Sequence, residues 1–192
     1  MKKMIMLILV LFTNIIYGIP QKNIVDYFLS LPENALNLGL KTIESRRNAL
    51  SNKYKFQVWG YDEIDKVNGY LKLKNPGMGG GEELEIVMWS DSGKPDLIGV
   101  NQIICGMPGC FYGSIQFFEF KNEHWHDVTN LVFPGISEND FIKDQAVKNM
   151  YSCKLPKVGV DILCYNLDFS EEIRYSWANG KFLKKPVVKL KK

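Results

Sequence analysis

The chain has 192 residues, 46% of them hydrophobic and 23% charged, with 24 basic and 21 acidic side chains and a formal net charge of +3. That length is enough for one domain with a proper core. A balance so close to neutral excludes a protein that grips nucleic acid or another polyanion by bulk charge.

Met1-Lys2-Lys3 precedes an almost unbroken apolar run from Met4 to Ile16, and Ile16 and Gly18 fit the −3 and −1 positions of a signal-peptidase site. The run is shorter than the ~20 residues a spanning helix needs. We therefore expect residues 1–18 to be a secretory signal peptide and residues 19–192 to form a single exported domain that does not span a membrane. Loss of Lys2 and Lys3 lowers the formal charge from +3 to +1. Few Arg beside many Lys, Asn and Ile point to an AT-rich bacterial genome, so the expected compartment is the periplasm or the cell exterior.

Next come two helical patterns. Ile24, Tyr27, Phe28 and Leu31 fall at i, i+3, i+4 and i+7, and Pro32 ends the run. Leu36, Leu40, Ile43 and Leu50 continue an apolar stripe, with Lys41, Glu44, Arg46 and Arg47 as its wet face and Gly39 as its weak point. After Asn52 the pattern turns to strands, at 54–59, 69–73, 84–89, 97–104, 112–120, 124–129, 150–155, 160–166, 173–177 and 181–183. Asn179-Gly180 tolerates the positive φ of a type I′ turn, which predicts a hairpin over Trp177–Phe182. Ser137 can cap one short helix, with Asp140 at its third position and Phe141, Ala146 and Met150 facing inward. The stretch near 130–137 is a candidate break between sub-lobes. Strands and helices do not alternate as parallel units would, so the expected class is α+β, an N-terminal helical segment packed on antiparallel sheet.

All four cysteines lie in the part that remains after cleavage, and an even count in an oxidising compartment favours disulfides. Cys105 and Cys110 flank Gly106-Met107-Pro108-Gly109 between strand-like runs, unlike the Cys-x-x-Cys at a helix start of a redox pair. Cys153 and Cys164 sit on the arms of a second predicted hairpin, opposite each other if its turn centres on Val158-Gly159. Their Cα atoms would then be ~5.5 Å apart, within reach of a bridge. We expect each pair to staple its own turn; crossed pairing, a metal site and redox chemistry remain the alternatives, because spacing does not fix connectivity.

Four other features bear on chemistry. His124 and His126 are the two histidines, and on a strand they share a face, so with Glu119 or Asp127 they are a candidate zinc or copper site of a hydrolase. Pro76–Gly81 lacks the following helix, lysine and hydroxyl of a phosphate loop and reads as a hairpin loop. Asp91–Leu97 resembles one loop of calcium-binding propeller repeats, but Lys94 sits inside it and one copy closes no propeller. Six of the last twelve residues are lysine, a pattern for anionic lipid or glycan set against a solvated, frayed terminus. There is no Gly-x-Ser-x-Gly nucleophile motif, and nothing in the sequence brings the carboxylates of Asp62, Glu63 and Asp65 to catalytic spacing.

The motif order, "YF…LPE" from Tyr27, "NGYLKL" at 68–73, a paired-cysteine loop and "W.DVT" at 125–129, resembles a group of uncharacterised secreted bacterial proteins. The resemblance implies an exported α+β domain and no known activity. The expected function is a non-enzymatic binding module, inhibitor-like in using a rigid loop, with Met107, Pro108, Phe111 and Tyr112 around Gly106 and Gly109 as its contact surface. Its expected partner is a protein or glycan of the envelope, and no cofactor is expected. The competing readings are the His124/His126 metal hydrolase and a structural envelope component.

Overall fold

The structure is a computed structural model that describes residues 22–36, 39–53, 58–75, 77, 80–90, 94–106, 109–137, 140–141, 151–166 and 168–190. The expected signal peptide and most of the short helix after Ser137 lie outside the described residues. Helix α1 (Ile24–Ser30) starts at a capping box, with Asn23 accepting from the Val25 N–H and Asp26 from the Asn23 N–H. A 3-10 turn (Glu33–Ala35) follows, then α2 (Ile43–Ser51), capped by Thr42.

Six strands come next: β1 (Gly60–Asp65), β2 (Tyr70–Asn75), β3 (Gly81–Trp89), β4 (Leu97–Gly106), β5 (Gly109–Lys121) and β6 (His124–Asp127). They form one antiparallel sheet in chain order. A short helix, α3 (Thr129–Val132), begins the crossing to a second sheet. That sheet holds β7 (Tyr151–Lys154), β8 (Ile162–Asn166), β9 (Glu171–Ala178) and β10 (Lys181–Lys184), with β11 (Val188–Lys189) paired to β9 beyond β10.

Strand alternation makes the first sheet the middle layer. Leu71, Leu73, Leu84, Ile86, Ile98, Val100 and Phe118 point to the side of the helices and pack on Ile24, Phe28, Leu36, Leu40 and Ala49. Tyr70, Val87, Leu97 and Phe117 point the other way, onto Cys153, Ile162, Cys164, Ile173, Tyr175 and Phe182 of the second sheet. The segment near 130–137 leads from one sheet to the other and places Val132 and Phe133 in the core between them.

The chain is therefore mostly β, with short helices laid on one flank, rather than the α+β fold with a long helical segment that the stripe implied. Gly39 has φ +82° and ends the stripe, so Leu36 and Leu40 pack from irregular chain and Ile43 is exposed. Arg46, expected on the wet face, is 3% exposed. Its guanidinium donates to the carbonyls of Phe28, Leu29 and Leu31 at the end of α1 and to those of Leu40 and Lys41. It satisfies helix-end acceptors that would otherwise have no partner.

Two strands were missed in the sequence. β1 carries Asp62 and Glu63 at a sheet edge, and β11 is only two residues long. The expected strand at 54–59 falls mostly outside the described residues, and Thr129, expected to end a strand, starts α3.

Candidate functional site

Both expected disulfides are present, Cys105–Cys110 and Cys153–Cys164. Each joins directly opposed residues of neighbouring strands, β4 with β5 and β7 with β8. The Cys153 and Cys164 Cα atoms are 4.0 Å apart, nearer the ~4.5 Å of a non-hydrogen-bonded cross-strand pair than the expected ~5.5 Å. This second staple is fully buried between the sheets, while Cys110 is exposed at the hairpin end of β4 and β5. Of the expected contact residues, Met107 and Pro108 lie outside the described residues, and of Phe111 and Tyr112 only the strand backbone is described. Gly80 presses on this end of the sheet: a Cβ there would stand 2.2 Å from the Cys105 carbonyl oxygen, so the close approach requires glycine.

His124 and His126 stand exposed on the edge strand β6, while Trp125 between them is half-buried against Tyr27, Phe118 and Phe120 and donates from Nε1 to the Ser30 carbonyl at 2.6 Å. No group of three or more His, Cys, Asp or Glu converges as a metal site among the described residues. Asp96, from the loop that resembles a calcium repeat, accepts from the Tyr27 hydroxyl at 2.5 Å and from the Ser90 hydroxyl at 2.6 Å. It braces α1 against the sheet.

Between the sheets lies a buried polar group that sequence reasoning missed. Glu85, 3% exposed, accepts from the Asn101 amide (3.1 Å), the Leu155 N–H (3.0 Å) and the Tyr70 hydroxyl (3.3 Å), with the Lys72 ammonium at 3.7 Å. Asn101 also donates to the Cys153 carbonyl at 2.8 Å. Its Oδ1 has no hydrogen-bond partner among the described residues and lies where a Cβ on residue 113 would sit, 2.9 Å away, which is why Gly113 is there. Burial first and Glu85 second push the Tyr70 phenol far above its ordinary range. The signal was the facing pattern of Lys72 and Lys74 against Glu83 and Glu85, which pair across β2 and β3. These groups are held by one another and form a tie between layers.

The outward face of the second sheet is different. Ile162, Cys164, Ile173, Tyr175 and Phe182 point into the core, which turns the alternate residues out. Register sets Lys154, Leu163 and Arg174 in one row across β7, β8 and β9. Beside the row the β7–β8 loop forms an open groove of about 410 Å³, lined by Leu155, Pro156, Val158, Val160 and Leu163 and rimmed by Lys154 and Arg174. Val158 is 76% exposed. Asp161 (3.7 Å) and Glu172 (3.3 Å) both lie against the Arg174 guanidinium. The groove thus has an apolar lining with Lys154, Asp161 and Arg174 beside it.

The architecture defines a two-sheet, disulfide-stapled β protein with helices on one flank. A domain of an uncharacterized protein from Porphyromonas gingivalis W83 shares it, with a TM-score of 0.54 over 84% of this chain and 96% of that one at 14% identity. That likeness is one of fold. No protein-family model and no curated protein matches the chain. No helix among the described residues is long and apolar enough to cross a membrane.

Proposed function

We propose that this is an exported, non-enzymatic binding module whose contact surface is the outward face of the five-stranded sheet. The observation that carries the reading is the groove beside Leu163: the exposed Val158 and Val160 with Lys154, Asp161 and Arg174 around them, on a sheet face that none of the described elements covers. Two disulfides fit the export half of the reading, since such bonds persist in oxidising compartments. A rigid, stapled sheet loses little ordering entropy when a partner docks. The Cys105–Cys110 hairpin, with Met107, Pro108, Phe111 and Tyr112, is the second contact element of the proposal.

Photo-crosslinking in the producing cells tests it. A photoreactive side chain at Val160 is expected to give a discrete adduct, protein or lipid, identified by mass. The same group at Val67, 94% exposed on the β1–β2 turn, is expected to give none. An adduct from Met107 alone moves the site to the stapled hairpin. Equal labelling from Val160 and Val67, or none from either, overturns the groove reading.

A further inference from the structure

We propose that this outward face, together with strands β10 and β11, docks on an anionic phospholipid surface. The inference rests on the reading of the face as a binding surface and names its partner's chemistry. Of the chain's 24 basic and 21 acidic residues, six lysines and no acid fall in 181–192, which leaves 18 basic against 21 acidic elsewhere. The positive excess is thus confined to residues 181–192.

These strands are held rather than frayed through Leu190. The Lys185 N–H donates to the Arg174 carbonyl and the Leu190 N–H to the Ser170 carbonyl, both at 2.8 Å, and β11 pairs with Glu171 and Glu172. Phe182 and Val187 turn toward the core, and Lys181, Leu183, Lys185, Val188 and Leu190 are exposed. Lys185 extends the row of Lys154, Leu163 and Arg174 by one strand. The acids of this face, Asp161 and Glu172, both lie against Arg174, so Lys154, Lys181 and Lys185 outweigh the one negative charge that Arg174 leaves uncompensated. Two lysines are placed differently: Lys184 turns to the carboxylate of Asp140, and Lys189 stands opposite the buried Glu171.

Lysines on an edge strand also guard against edge-to-edge pairing. That role accounts for one or two charges. It does not account for Leu183, Val188 (54% exposed) and Leu190 interleaved with them. A soluble polyanion uses the charges alone, whereas a bilayer interface uses both, the lysines at the headgroups and the apolar side chains below them.

Flotation with vesicles tests this. The whole chain is expected to float with vesicles of equal parts phosphatidylcholine and phosphatidylglycerol, to stay behind with phosphatidylcholine alone, and to be released by high salt. Combining Lys154→Gln, Lys181→Gln and Lys185→Gln is expected to weaken partitioning about a hundredfold, near fivefold per charge. Leu183→Ser with Val188→Ser is expected to weaken it at unchanged charge. Thermal unfolding of each variant confirms that the exposed substitutions leave the fold intact. Binding that ignores the lysines overturns the proposal, as does binding that ignores Leu183 and Val188 and is matched on a soluble polyanion such as heparin. No flotation, with a protein adduct still formed at Val160, overturns the lipid partner and leaves the binding face standing.

Discussion

Asn101 holds Glu85 and the opposite sheet at once: its Nδ2 donates to Glu85 Oε2 at 3.1 Å and to the Cys153 carbonyl at 2.8 Å. Removing one member of a buried, charge-assisted cluster strands the others without water. Glu85→Ala is expected to cost about 3 kcal/mol, and Asn101→Ala about 2 kcal/mol, in urea unfolding. Losses under about 1 kcal/mol for both would show that apolar packing alone joins the layers.

Arg46 makes a similar tie on the other flank. Its five donors match a fan of carbonyls, which a lysine's three donors on a flexible stem do not. Arg46→Lys is expected to cost about 2 kcal/mol and to speed amide exchange in α1 first. Exchange that rises uniformly over the whole chain would argue against a local clasp.

The two staples differ in depth. Loop closure assigns each about 2–3 kcal/mol, but Cys153 and Cys164 also fill the core between the sheets. Replacing that pair by alanine is expected to cost more than replacing Cys105 and Cys110 by serine, and to release β7. Equal losses, read from paired unfolding curves, would contradict the burial argument.

Three tyrosines set an alkaline limit. Burial raises the phenols of Tyr27, Tyr70 and Tyr175, helped by Asp96, Glu85 and Asp140 respectively. A folded-state pKa above the unfolded value of ~10 gives stability that is complete below that pH and is lost as pH rises past it. These three are expected to ionise only as the protein unfolds, read as the tyrosinate absorbance that their Phe variants lose. Tyrosinate absorbance from Tyr27, Tyr70 or Tyr175 in a protein that is still folded would refute this.

The histidine pair gives a clean discriminator. With both rings exposed on β6, His124→Ala and His126→Ala together are expected to shift stability by less than about 0.5 kcal/mol. Elemental analysis of the purified protein is expected to find no stoichiometric zinc or copper. One equivalent of metal, lost in the double variant, would restore the hydrolase reading.

Most strands, the Asn179-Gly180 hairpin with positive φ at both residues, and both disulfide pairings were legible, because period-two alternation and turn chemistry are local signals. The helices were overread, since Leu36 and Leu40 keep an apolar spacing that Gly39 breaks. Arg46 and Glu85 were illegible because a buried charge looks like a surface one until its partners, which lie on other elements of the fold, are placed beside it. The groove depends on which sheet face stays bare, which no strand pattern announces. The hold on the lysine tail was illegible because β11 is two residues long and has no periodicity to detect.

In the first sheet every strand pairs only with its neighbour in sequence, so the layer needs no partner strand beyond residue 127 and can close without β7. Short-range pairing of this kind closes quickly. Tyr70, Val87, Leu97 and Phe117 then face water until residues 151–184 arrive to roof them. A chain ending in that interval would display a finished sheet with one bare apolar side, the kind of exposed surface that invites aggregation.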